Sequence, residues 1–196
     1  MVYQIGSVIK PSKNIKIEFG GAFYDFKNLD EIDCDDLGDK EEFQGYNHRH
    51  GQQMVFDANE KLLNEFKCLE LTAKVKVKKV LPVPFTVFGS YIKNTDADVG
   101  DMQSKGLDPG DSNPADLAAY SGDDRDTGWQ LGFSAGNKKK KGDWYVKYFY
   151  QELEDYAFPA VFVDSDFHGG GTNNKGHLMQ AKYMLADNIQ AGATGF

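Results

Sequence analysis

Residues 69–78 carry a lysine at every second late position: Lys74, Lys76 and Lys78 stand on one side with Glu70 and Thr72. Leu69, Leu71, Ala73, Val75 and Val77 stand on the other. Successive strand side chains point to opposite sides, so this segment reads as a strand with one oily face and one wet face. Carrying the same parity along the chain gathers Lys16, Lys74, Lys76, Lys78, Lys147 and Lys182, with Gln180, against Glu18 and Glu70. A wall so lined concentrates small anions and favours their passage. The expected inward set is Lys16, Glu18, Glu70, Lys74, Lys76, Lys147, Gln180 and Lys182, with Lys78 the lysine expected to face solvent at a rim.

Other clusters carry less chemistry. Asp30, Glu31, Asp33, Asp35 and Asp36, and later Asp123, Asp124 and Asp126, could hold Ca²⁺ through oxygen ligands, but neither run has EF-hand spacing. They read as solvated loops, with cation bridging to lipopolysaccharide as the alternative. Asp164, Asp166 and His168 precede a glycine run, where Asp and Ser bond to nearby backbone in a turn. His48 and His50 lack cysteine partners at zinc spacing. No nucleophile elbow, phosphate loop or dinucleotide fingerprint is present. The expectation is no catalysis, no cofactor and no metal site. Cys34 and Cys68 read either as two unrelated thiols or as a disulfide tying a loop to a wall strand, which needs an oxidising compartment.

The elements that must position these residues are eight strands, near 2–9, 14–26, 69–78, 85–93, 128–136, 143–152, 176–187 and from 189 onward. Long polar loops fall at about 27–65, 94–126 and 155–174, and a short helix is expected at 57–64 with Asp57 as its N-cap. Connections alternate short and long. That order predicts an all-β, up-and-down antiparallel sheet over residues 1–196, forming one barrel domain with one plain rim and one elaborated rim. A long loop is expected to fold in and constrict the lumen.

The chain has 196 residues and a formal charge of -8. Its pI is near 5.0, which argues against nucleic-acid partners. Mean hydropathy is -0.55, and no apolar run is long enough for a transmembrane helix. A transmembrane barrel is also hydrophilic on average, because only alternate strand residues meet lipid. A soluble barrel would show the same alternation, with its apolar face turned inward around a ligand. Three features favour the membrane. The apolar faces are almost free of charge, aromatics such as Tyr91, Trp129, Trp144, Tyr148 and Tyr150 gather near strand ends, and the opposite face mixes glycine, glutamine and lysine.

The stretch Pro82-Val83-Pro84-Phe85-Thr86-Val87-Phe88-Gly89-Ser90-Tyr91-Ile92-Lys93-Asn94 resembles a strand of the putative-porin family of Gram-negative bacteria. The resemblance continues in Gly128-Trp129-Gln130-Leu131-Gly132-Phe133 and Lys141-Gly142-Asp143-Trp144. It is strongest in Asp164-Ser165-Asp166-Phe167, Gly170-Gly171-Thr172-Asn173 and Lys175-Gly176-His177, and the ordered series covers about 81–196. What it implies is an outer-membrane β-barrel passing small solutes by diffusion. Its partners would be the lipid bilayer, lipopolysaccharide, small solutes or ions, and further copies of itself. Outer-membrane barrels usually end in an aromatic residue preceded by apolar residues at alternating positions. Here Thr194, Gly192 and Gln190 precede Phe196 at that spacing, and the first residues lack a signal peptide. Family members are also longer. The expectation is therefore a partial barrel that acts as a passive pore. The alternatives are a closed structural or binding barrel with cation-binding acidic loops, and a soluble ligand-binding barrel.

Overall fold

The computed structural model describes residues 1–28, 65–79, 82–97, 125–163, 167 and 169–196. They form one antiparallel sheet with the strands in chain order. The strands are β1 (Val2–Ser12), β2 (Ile15–Phe26), β3 (Phe66–Val77), β4 (Phe85–Asn94), β5 (Thr127–Gly136), β6 (Trp144–Leu153), β7 (Asn174–Ala186) and β8 (Ile189–Gly195). Strands of this length suit a tilted crossing of a bilayer. Among the described residues β1 and β8 pair with one neighbour each, so the sheet is open, as a partial barrel would be.

The expected strands all form, and the differences lie at their ends. β1 continues past Ile9 to Ser12, because a bulge between them absorbs the extra residue. Pro11 lacks an amide hydrogen and is tolerated there because β1 is an edge strand. β3 starts at Phe66, three residues earlier than expected. The expected helix at 57–64 lies outside the described residues, as do His48, His50, Asp164, Asp166 and His168.

Register decides which residues share a face. Glu18 stands opposite Lys74, Lys16 opposite Lys76, and Phe19 opposite Ala73. Apart from the bulges between Ile9 and Ser12 and between Met184 and Ala186, the parity carries across every ladder. Leu71 meets Tyr91, Gly89 meets Leu131, Leu131 meets Tyr150, and Tyr148 meets Met179. The face holding Leu71, Leu131, Met179 and Tyr183 is exposed, with Leu131 at 56% and Met179 at 61%. Its complement is concave and partly buried; Phe66, Cys68, Phe149, Leu178 and Met184 are among its buried members. A soluble barrel would bury the apolar face inside. Here that face is on the outside of the curve, which rules against this alternative in the described wall.

Four short connections, at 13–14, 78–84, 137–143 and 187–188, share one rim. Carboxylates close the basic turn before β6. Asp143 Oδ2 accepts from the backbone N–H groups of Lys139 (3.0 Å) and Lys140 (3.1 Å), and Asp187 Oδ1 accepts from that of Lys141 (2.7 Å). The two backbone donors hold the Asp143 carboxyl below the usual range. The opposite rim carries the long connections. The described part of 154–173 turns inward and packs on the concave face. Phe158 lies edge-on to Tyr24 (5.3 Å) and Phe26 (5.5 Å), and Phe167 packs against Phe149 at 5.6 Å. A loop was expected to fold in, and this one does.

Candidate functional site: the concave face and its lid

All eight residues expected to face inward lie on the concave side, and register divides them into groups. Lys16, Glu18, Lys74 and Lys76 form one group on β2 and β3. Glu18 pairs with Lys16 and stands 3.9 Å from Lys74 Nζ, so part of that positive charge is already compensated. Glu70 sits apart, accepting a hydrogen bond of 2.7 Å from the Tyr24 hydroxyl. Lys147 and Gln180 are direct partners on β6 and β7, and Lys182 faces Tyr145 one step along. Between the groups, β4 and β5 contribute Thr86, Phe88, Gly132 and Ser134, which carry no charge. The basic wall is therefore two patches and not one stripe. Lys78 lies beyond the end of β3 and is exposed, in line with a rim position.

Lys147 has an unusual setting. Its Nζ lies 5.5 Å from the centroid of the Phe88 ring and 4.9 Å from that of Phe149. Among the described residues no carboxylate comes within ion-pair range of it. The rings stabilise the ammonium through their electron-rich faces without neutralising it. Gly132 makes this possible: a Cβ there would meet the backbone oxygen of Tyr148, Phe149 Cβ at 2.5 Å and Phe88 Cζ at 2.8 Å. Phe88, Phe149, Phe167 and Leu178 pack together as an apolar plug across part of the lumen side.

The lid is tied down by residues whose role the sequence did not reveal. Asn94 is fully buried. Its Nδ2 donates to the carbonyls of Glu65 (2.8 Å) and Tyr156 (2.9 Å), while Oδ1 accepts from the N–H groups of Lys67 (3.0 Å) and Asp96 (3.1 Å). One side chain thus joins the start of β3, the end of β4 and the lid. Asp155 Oδ1 accepts from Arg125 at 2.9 Å, and Arg125 also reaches Asn173 Oδ1 at 2.6 Å. Burial pushes the Asp155 carboxyl up to about 6, against the opposing pull of Arg125. Cys68, also fully buried, donates its thiol hydrogen to the Ala157 carbonyl at 3.4 Å. Cys34 lies outside the described residues. Only parity offered a signal: Asn94 and Cys68 occupy inward positions near the loop rim, where a polar or small side chain can meet a returning loop.

The acidic runs are engaged where they are described. Asp126 is buried and pairs with Lys93 at 2.8 Å, and Asp30 to Asp36 lie outside the described residues. Among the described residues no three metal-ligating side chains gather.

The outer aromatics make two bands with one exception. Trp129 and Tyr150 touch at 5.1 Å and Tyr150 and His177 at 4.9 Å toward the loop rim, while Trp144 stands opposite Tyr183 near the other rim. Tyr148, expected at a strand end, lies mid-wall. Its hydroxyl is hydrogen-bonded to His177 Nδ1 at 2.7 Å, which satisfies a polar group on an apolar surface.

An eight-stranded antiparallel up-and-down sheet with an apolar outer face, a charged inner face and an infolded loop has the architecture of part of a β-barrel wall. The family model described as putative porin matches residues 35–194, and the chain belongs to that family. Membership points to a membrane channel rather than an enzyme. No curated protein and no solved structure matches the chain.

Proposed function

We propose that this chain builds the wall of a water-filled outer-membrane channel through which small solutes and ions diffuse passively, with a preference for anions. The observation that carries this reading is the sorting of residues between faces. Across seven ladders the convex side presents Phe19, Leu71, Leu131, Met179 and Tyr183 to the surroundings. The concave side presents five lysines against two glutamates among the eight inward residues named above. Only a lipid boundary outside and water inside satisfy both faces. Lys67, Lys93 and Lys175 mark the outward loop rim, each paired with a carboxylate (Asp96, Asp126 and Glu152), so that phosphorylated lipopolysaccharide headgroups would compete with those pairs for them. Further strands must complete the barrel, whether from a longer chain or from another copy.

The plug of Phe88, Phe149, Phe167 and Leu178 favours a second reading, a closed barrel with a binding or structural role. Planar-bilayer recording under a KCl gradient separates them. Stable steps with a reversal potential favouring chloride support the anion-leaning channel. Steps favouring potassium keep the channel and remove the anion preference. Folded, inserted protein without steps leaves the closed barrel.

A further inference from the structure

Between the lid and the concave wall lies a cavity of about 1060 Å³. Its lining has two characters. Phe26, Phe149, Phe158, Phe162 and Phe167 supply aromatic surface, and Lys147 is the one lysine among its described lining residues. The carboxylates that border it are engaged. Glu70 accepts from Tyr24 at 2.7 Å, and Glu152 stands 3.8 Å from Lys175. Lys147 lies beside two rings and faces no described carboxylate. Its direct partner across the ladder, Gln180, has a further amide N–H to offer, having spent one on Thr194 Oγ1 (3.3 Å).

A purely hydrated ion gains little from five phenyl rings, and a purely apolar ligand leaves the lysine desolvated. A small anion with a flat apolar body satisfies both. We propose that this cavity is a selective site for small aromatic monocarboxylates. The carboxylate pairs with Lys147 and receives amide N–H from Gln180, while the ring stacks among Phe149, Phe158, Phe162 and Phe167. This rests on the concave face being a lumen that solutes enter. It turns the lid from a plain constriction into one side of a binding site.

Benzoate is the probe, with acetate as the anion lacking a ring and benzyl alcohol as the ring lacking a charge. Each is titrated calorimetrically into the detergent-folded protein at low ionic strength, and the same preparation is recorded in KCl alone. Benzoate is expected to bind at least tenfold tighter than either control. Lys147→Met should weaken benzoate about tenfold or more. Phe162→Ala, at an exposed ring on the cavity's edge, should weaken benzoate several-fold and leave acetate unchanged. Heat-modifiable migration verifies that both variants are folded. Benzoate no tighter than acetate, or unaffected by Lys147→Met, overturns the site. Steps in KCl without benzoate selectivity would keep the channel and remove the site. Selective binding without any steps would keep the site and remove the channel.

Discussion

Two residues show how tightly the inner face is built. Gly132 lies beneath the Phe88 and Phe149 rings, and a methyl group there has no room. Gly132→Ala should destabilise the folded wall by about 1–3 kcal/mol through overpacking, read as a lower urea midpoint in tryptophan fluorescence. Asp155 makes a pH-dependent contribution of definite sign. Its carboxyl is lifted to about 6 from an ordinary 3.8, chiefly by burial, with Arg125 pulling it down and Glu154 pushing it up. A raised carboxyl favours the folded state when protonated, so its contribution to stability increases as pH falls from about 6 toward 4. At neutral pH the buried charge costs on the order of 1–3 kcal/mol. Asp155→Asn keeps an acceptor for Arg125 and removes the charge. The variant should raise stability at pH 7 and narrow the difference between pH 7 and pH 5. Urea titrations of both proteins at the two pH values check this, and an unchanged difference would contradict the assignment.

At the scale of elements, the eight strands were legible because a period of two is imposed by geometry and sharpened by the demand that one face meet lipid. Val75 and Lys76 could not exchange faces without putting a lysine in hydrocarbon. The lid was legible only as a long loop. Residues 154–173 have no repeating period, and their inward fold depends on contacts remote in sequence, such as Asn94 to Tyr156 and Phe167 to Phe149. Parity gives the shared face and the uncharged β4 and β5 positions that divide its lysines into two groups, but not the compensation of Lys16 and Lys74 by Glu18, which depends on side-chain geometry. These contacts make Asn94 the point at which to release the lid. Asn94→Ala removes four hydrogen bonds, the one to the Tyr156 carbonyl buried and the other three part-buried, a loss of about 2–4 kcal/mol. Most of that loss falls on the lid's attachment. Single-channel conductance should rise and become noisier, and the 154–173 segment should be cut sooner by protease. A variant with native conductance and native protection would remove the lid from the conduction path.

At the scale of the whole molecule, closure and selectivity are one problem. Eight strands closed on themselves would be filled by their own side chains, whereas the open wall holds a cavity of about 1060 Å³. An open edge in hydrocarbon leaves a row of backbone groups unpaired, so β1 and β8 must meet further strands in the membrane. In the proposed channel, ions would pass the two basic patches in a confined space where charge acts over short range. The patches are not equivalent. Lys74 lies near Glu18, while Lys147 faces no described carboxylate. Charge reversal should therefore be graded. Lys147→Glu alone should move the reversal potential further toward potassium than Lys74→Glu, and the triple change with Lys76→Glu should make the pore cation-selective. Equal shifts from the two single variants would mean that Glu18 does not compensate Lys74 in the conducting state. No shift from the triple variant would mean that ions do not travel along the concave face at all.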